Sequence, residues 1–100
     1  MVNKLYITEN EKEIILSILT GNYEVLFLGS RVSGKHKPMS DLDICLRGKE
    51  IIPIEVLADL RAAFEDSNIP FRIDIIDWAR TSSDFQNLIE KTCINSKDIQ

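Results

Sequence analysis

The sequence lacks long hydrophobic stretches. Its uninterrupted apolar runs are only a few residues long, whereas a helix that crosses a bilayer needs about 20 apolar residues. The N-terminus also lacks the apolar block of a signal peptide. We therefore expect a cytoplasmic protein without a membrane segment.

Cysteine is scarce, and there is no excess of positive charge. Cys45 and Cys93 are far apart and show no CxxC spacing, which argues against a disulfide framework or a zinc site. The chain has 12 Lys and Arg against 16 Asp and Glu, a formal net charge of -4. Because proteins that bind the nucleic-acid backbone accumulate Lys and Arg, direct DNA binding is not expected, although a local basic patch remains open.

Length and the order of predicted elements define the fold class. A chain of 100 residues has the size of one domain, so residues 1–100 are expected to form a single unit. Strands are predicted at 23–28, 41–47 and 71–77, each a short run rich in β-branched, aromatic or other apolar residues. They alternate with helices, which predicts a small β-sheet with helices packed against it, an α/β (α+β) architecture.

Hydrophobic spacing and capping residues predict the helices. Thr8 and Glu11 match a capping box, so a helix is expected over residues 9–20, with Gly21 ending it in a left-handed conformation. The tail from Asn95 onward is polar and is expected to fray. Helical spacing predicts two more amphipathic helices, with buried stripes formed by Val56, Leu57, Leu60, Ala63 and Phe64 in the first and by Phe85, Leu88 and Ile89 in the second.

The first predicted strand runs directly into Gly29-Ser30-Arg31. A strand that ends in a small-residue turn and enters a short helix presents free backbone N–H groups and the positive end of a dipole, which favours an anion. In this interpretation Gly29 and Ser30 hold the terminal phosphates of a nucleoside triphosphate, and Arg31 neutralises their charge. A Gly-Ser pair alone also fits an ordinary turn, so the interpretation depends on residues farther along the chain.

Aspartates follow in the next two strands. Asp41 and Asp43 alternate with apolar residues and therefore share one strand face. A D-x-D alone is more often a solvated face, but Asp74, which lies between isoleucines, adds a third carboxylate if its strand pairs beside them. Three carboxylates can hold two Mg²⁺ ions, and Asp74 can also serve as a general base. Asp77 competes with Asp74 for the third position.

Taken together, these motifs resemble one known family. Gly29-Ser30-Arg31, then Asp41-Leu42-Asp43, then Asp74 are similar to the minimal nucleotidyltransferases (MNT proteins) of the polymerase-β superfamily, the antitoxin type encoded beside HEPN-domain toxins. The resemblance covers almost the whole chain and implies a polymerase-β-like fold with a small mixed β-sheet.

The resemblance also implies roles for residues. Gly29 and Ser30 would bind the triphosphate, and Asp41, Asp43 and Asp74 would form the catalytic, magnesium-ligating triad. Arg31 matches the arginine that many members carry after the Gly-Ser pair. The family pattern favours Asp74 over Asp77, because it places an apolar pair between the catalytic aspartate and the next acid.

The implied activity is Mg²⁺-dependent transfer of AMP from ATP to a hydroxyl, that of a tyrosine, on a HEPN-type RNase toxin bound as a hetero-oligomer. Two alternatives stay open: an antitoxin that neutralises its partner by binding alone, and a stand-alone nucleotidyltransferase acting on a small molecule or RNA. The basic loop around His36 is either solvated or closes over the triphosphate. Trp78 is expected to pack in the core or at an interface.

Overall fold

A computed structural model describes residues 4–99 of the chain. The predicted order of helices and strands is confirmed, and a short strand follows the last helix. The elements, in chain order, are α1 (Glu9–Ile18), β1 (Glu24–Leu28), α2 (Ser30–Ser33), β2 (Leu42–Arg47), α3 (Ile54–Glu65), β3 (Ile73–Asp77), α4 (Ser83–Thr92) and β4 (Ile94–Asn95). Short 3₁₀ helices follow β3 and β4 at Trp78–Arg80 and Ser96–Asp98.

The sheet is mixed, as expected for the resembled family. Its 4 strands lie in the order β3-β2-β1-β4. β1 pairs antiparallel with both β2 and β4, while β2 and β3 are parallel and are joined by the crossover helix α3. Consequently the end of β1 and the beginnings of β2 and β3 meet at one end of the sheet.

Side chains from both faces of the sheet are buried. On one face Phe27 and Ile44 pack with α1 and α3, which contribute Ile15 and Leu57 among others. On the opposite face Leu26, Leu28 and Cys45 pack with Ile89 of α4. The alternation predicted for β2 is confirmed, since Leu42, Ile44 and Leu46 belong to the first cluster and Cys45 to the second.

Helix ends and helix faces differ in part from the sequence prediction. The capping box of Thr8 and Glu11 is confirmed, but α1 ends at Ile18, and Gly21 does not adopt a positive φ. A Cβ at this position would lie 2.4 Å from the ring of Tyr23, which would have to shift to accommodate a larger residue. The predicted burial was wrong for Val56, Phe85 and Leu88, which are exposed, whereas Leu57, Phe64 and Ile89 of the same helices are buried.

The prediction of a frayed tail was wrong over residues 95–99. Ile94 and Asn95 pair with β1, and the Asn95 amide donates a hydrogen bond to Glu24 Oε2 at 2.9 Å. Ile99 packs against the larger core cluster. Sequence polarity misled the prediction, because β1 offers an open edge that only a non-local pairing can fill. Gln100 lies outside the described residues. Within residues 4–99, none of the helices has both the length and the apolar character that a membrane span requires.

Candidate active site

Strand register places two of the predicted aspartates side by side. Asp43 is the partner of Leu28 in antiparallel β1 and of Asp74 in parallel β3. Paired residues in neighbouring strands point to the same face, so the Asp43 and Asp74 side chains share the face that carries Cys45. The condition set by the sequence, that the Asp74 strand must lie beside the D-x-D strand, is met.

The glycine turn lies against this pair. Gly29 has φ 94° and ψ -161°, a region that essentially only glycine occupies, and a Cβ at this position would lie 3.4 Å from Asp43 Oδ2. Ser30 then begins α2, which Gly34 closes in the left-handed conformation. The backbone N–H groups of Ser30 and Arg31 find no acceptor in the described part of the chain. The turn therefore presents two unpaired donors close to the carboxylates.

Burial and neighbouring carboxylates both disfavour the charged form of Asp43. Its pKa is raised above that of an ordinary aspartate, first by burial and then by the negative charges of Asp74 and Asp41. Asp41 is exposed and directly precedes β2, while the Asp74 carboxylate forms an ion pair with exposed Arg72, with 3.0 Å between Arg72 Nε and Asp74 Oδ1. A bound cation would relieve this repulsion.

The carboxylates of Asp41, Asp43 and Asp74 are the residues that would hold the magnesium implied by the resembled family. Carboxylate oxygens are the ligands that Mg²⁺ prefers, and Asp43 lies beside a second carboxylate, that of Asp74, in the neighbouring strand. However, in the part of the chain that is described, no group of three His, Cys, Asp or Glu side chains is arranged to hold a metal. The residues therefore fit a divalent cation in chemistry, and the ion pair with Arg72 uses Oδ1 of Asp74.

Asp77 has a structural role, which resolves its competition with Asp74. Its side chain is almost fully buried and accepts hydrogen bonds from the backbone N–H groups of Ile52 at 2.9 Å and Ala79 at 3.2 Å. Arg80 Nε lies 3.2 Å from Asp77 Oδ2, the same oxygen that accepts from Ile52. Because its oxygens are occupied within the fold, Asp77 is not available to a ligand.

Arg31 does not lie where the sequence suggested. The residue is only 5% exposed, and its guanidinium donates hydrogen bonds to backbone carbonyls of Tyr6, Pro38 and Ser40 at 2.9 to 3.1 Å. These contacts argue against the prediction that Arg31 neutralises the phosphates, since its guanidinium donors are used within the fold. From the sequence, an arginine beside a Gly-Ser turn suggests phosphate binding. Local sequence does not show the direction in which the side chain points, so it could not reveal the contacts that Arg31 makes within the fold.

Two other residues singled out by the sequence have packing roles. The His36 ring lies against Tyr6, with 5.3 Å between ring centroids, and its buried Nδ1 has no partner among residues 4–99. Trp78 packs in the smaller core cluster with the Arg47 guanidinium 4.8 Å from its ring centroid. The expectation of packing for Trp78 is confirmed, and His36 is neither freely solvated nor directed at the carboxylates by any described contact.

An open cavity of about 510 Å³ lies beside Asp74. Its wall combines apolar side chains of the core edge with two arginines and two acids, among them Arg61, Phe64, Phe71, Arg72 and Asp74. Sequence reasoning missed this cavity and the Arg72–Asp74 ion pair. The cavity depends on how the chain before β3 lies against the end of α3, for which no local sequence signal exists, whereas the ion pair joins residues two apart, which alternation along a strand places on one face.

Known proteins were then compared with this chain. A family profile described as polymerase beta, nucleotidyltransferase matches residues 7–100. The probable protein adenylyltransferase MntA of Haemophilus influenzae is 44% identical over 82 residues, which cover 80% of this chain and 70% of that protein.

Solved structures agree in fold. A toxin–antitoxin complex with AMP-PNP has a chain that superposes with a TM-score of 0.70 at 18% identity, over 89% of this chain and 72% of that one. A substituted MntA–HpeT toxin–antitoxin complex gives a TM-score of 0.69 at 17% identity, over 89% and 71%. Similarity at this level of identity reports the fold, whereas the profile covers nearly all of the chain. The chain therefore belongs to the polymerase-beta nucleotidyltransferase family.

Proposed function

We propose that this nucleotidyltransferase is an antitoxin that transfers AMP from ATP, with Mg²⁺, to a tyrosine hydroxyl of a cognate HEPN-type RNase toxin and thereby silences it. The observation that carries the proposal is the register that sets Asp43 and Asp74 side by side, with the Gly29 turn against Asp43. One end of the sheet thus offers donors for phosphates next to carboxylates for a cation.

The comparisons support this choice of reaction and partner. A relative that is 44% identical is named a probable protein adenylyltransferase, and chains of the same fold occur in toxin–antitoxin complexes, one of them with the ATP analogue AMP-PNP.

Each residue of the site has a separate role in the proposed reaction. The unpaired N–H groups after Gly29 bind phosphate oxygens of ATP. Asp41, Asp43 and Asp74 hold magnesium, which supplies charge neutralisation at the phosphates and lowers the pKa of the attacking hydroxyl.

The transfer itself forms one bond and breaks one. The acceptor oxygen bonds to the α-phosphorus, the bond from that phosphorus to the bridging oxygen breaks, and pyrophosphate leaves with the bonding electrons. Asp74 orients the acceptor hydroxyl and takes its proton.

The cavity beside Asp74 supports an acceptor that arrives as a side chain. Its volume of about 510 Å³ lies within the range of small-ligand sites. It borders β3, the strand on the far side of Asp43 from the Gly29 turn. The cavity thus borders the β3 edge of the sheet and gives an acceptor side chain a place beside Asp74.

The test is direct. The protein is incubated with the product of the neighbouring gene, ATP and Mg²⁺, and intact mass spectrometry should show the partner gaining one adenylyl group. Asp41→Asn combined with Asp43→Asn should abolish the adduct. Asp59→Asn on α3 is the matched control, since Asp59 is exposed and lies outside the site. The proposal fails if an intact partner gains no adduct with any of several nucleoside triphosphates.

Protection of cells separates catalysis from simple binding. The doubly substituted protein should fold and bind the toxin but leave growth inhibited, while the Asp59→Asn protein should restore growth. Rescue by the inactive double variant would show that neutralisation occurs through complex formation alone.

A further inference from the structure

Arg31 joins the segments that carry the site. Its Nε donates to the carbonyl of Ser40 at 3.0 Å, Nη1 donates to Tyr6 at 3.1 Å, and Nη2 donates to Pro38 at 2.9 Å. A longer contact of 3.4 Å joins Nη2 to the carbonyl of Lys37. One side chain thus binds the N-terminal segment and the loop that leads into β2.

The charge of Arg31 is buried without an acidic partner. Among the described residues, none of the ion pairs includes Arg31. Carbonyl dipoles and the ring of Phe71, whose centroid lies 3.7 Å from the guanidinium carbon, provide the compensation. Burying a cation in this way costs free energy. An apolar side chain would fill the same space without that cost, so the guanidinium must contribute something besides packing.

The carbonyls that Arg31 binds are next to catalytic positions. Ser40 supplies the carbonyl of the peptide bond to Asp41, and Ser30 of the phosphate turn immediately precedes Arg31. Phe71 lies just ahead of β3, which carries Asp74. The guanidinium therefore contacts the chain just before Asp41, through the Ser40 carbonyl, and the chain just before β3, through the Phe71 ring.

The loop depends on Arg31 for its position. Lys37 to Ser40 form a tight turn, in which Ser40 N donates to the Lys37 carbonyl at 3.0 Å and Lys37 N donates to Ser40 Oγ at 2.7 Å. Met39 at its tip is exposed. The turn is thus ordered internally, and the guanidinium is the described side chain that ties its carbonyls to the core.

We propose that Arg31 is a positioning residue that fixes the loop before β2, and so sets Asp41 and Asp43 at the correct distance from the phosphate turn. Arg31 does not touch the substrate. Its planar fork reaches carbonyls in several directions at once, which a lysine ammonium on a flexible stem does not reproduce. This inference rests on the proposed nucleotidyl transfer and names the residue that holds the site residues in position.

Arg31→Lys tests the proposal, because it keeps the charge and loses the fork. A displacement of about 1 Å in a catalytic site costs about 100-fold in rate, so kcat should fall by about this factor and the Mg²⁺ concentration for half-maximal rate should rise. Arg80→Lys is the matched control, since Arg80 also donates to a backbone carbonyl, that of Ile52 at 2.9 Å, but lies away from the site. It should keep kcat and the Mg²⁺ requirement within about twofold.

Two further measurements keep the test decisive if Arg31→Lys folds poorly. Arg31→Ala should regain activity when methylguanidinium is added, which a loss of fold would not allow. Pro38→Gly with Ser40→Ala loosens the same turn and leaves Arg31 in place, so it should reproduce the raised Mg²⁺ requirement. The proposal is overturned if Arg31→Lys keeps the wild-type rate, if its rate loss equals its unfolded fraction, or if the loosened turn has no effect.

Failure of the proposed function gives a different pattern. In that case the wild-type protein transfers nothing to its partner, and the role of Arg31 is decided by calorimetry of Mg²⁺ with AMP-PNP. Arg31→Lys should weaken that binding about tenfold while Arg80→Lys leaves it unchanged. Equal binding by both variants would overturn the inference.

Discussion

Single backbone and side-chain positions define the phosphate turn. Gly29 occupies a conformation that is strained for every other residue, at φ 94° and ψ -161°. We expect Gly29→Ala to lower the free energy of unfolding by about 1–3 kcal/mol. Transfer should also fall, because relief of the backbone strain would displace the unpaired N–H groups of Ser30 and Arg31 that follow Gly29. Urea denaturation and the adenylyl transfer assay measure the two effects.

Gly48→Ala is the control for this change. Gly48 has no positive φ and a Cβ there meets its nearest atom at 3.4 Å, so stability should change by about 0.5 kcal/mol or less. Equal effects of the two substitutions would contradict the strain argument.

Asp74 and Asp77 provide a contrast within one strand. Asp77→Ala leaves the Ile52 N–H and the Arg80 guanidinium without their buried acceptor, so unfolding should become easier by about 3 kcal/mol. Asp74 is half exposed and pairs with exposed Arg72, so Asp74→Ala should cost about 1 kcal/mol or less yet abolish transfer. Chemical denaturation and mass spectrometry of the partner separate these roles; loss of transfer without loss of stability in Asp77→Ala would reverse the assignment.

At the scale of elements, pairing of β2 with β3 concentrates negative charge. Burial, then Asp74 and Asp41, raise the pKa of Asp43 in the folded protein. The folded state therefore holds this proton more tightly than the unfolded chain does. Its stability falls as pH rises from the ordinary aspartate pKa through the raised one.

Asp43→Asn should remove that part of the pH dependence. Metal-free and at neutral pH, the variant should be at least as stable as the wild type, because the repulsive charge is gone. Urea denaturation between about pH 4 and pH 7 covers the range in which aspartates titrate. A loss above about 2 kcal/mol would instead indicate a structural hydrogen bond made by the carboxylate.

The last strand contributes more than its length suggests. Ile94 is only 8% exposed and pairs with Phe27 of β1, so Ile94→Ala should reduce stability by about 2–4 kcal/mol. Ile51→Ala, at a position that is 54% exposed, should change it by about 0.5 kcal/mol or less. Thermal or urea denaturation of the two variants checks the difference, and equal values would mean that β4 does not hold the sheet edge.

For the whole molecule, features written in local sequence could be predicted. The capping box at Thr8, the small turn at Gly29 and the alternation through Asp43 all depend on near neighbours, and all are present in the structure. Membership of the polymerase-beta nucleotidyltransferase family could be inferred for the same reason, because the spacing of these motifs is itself local.

Features set by distant segments could not be predicted. The direction of the Arg31 side chain depends on carbonyls of Tyr6 and Ser40, and helical spacing alone does not show that Ile89 of α4 is buried while Leu88 is exposed. β4 requires a free edge on β1 that no residue of the tail announces. The candidate site combines both kinds of information, with local motifs supplying its residues and long-range packing supplying their support.

Because Asp43 and Asp74 are paired in parallel strands, the site is present in one register of β3 and absent in the neighbouring ones. Strand side chains alternate between faces, so a slip of β3 by a single residue replaces a carboxylate with an isoleucine and turns Asp74 to the opposite face. An insertion or deletion in the segment between α3 and β3 that shifts this register would remove the Asp74 carboxylate from beside Asp43. The length of that segment is therefore constrained by the register, and its composition is constrained as well, because it includes Phe71, which is buried and lies against the Arg31 guanidinium.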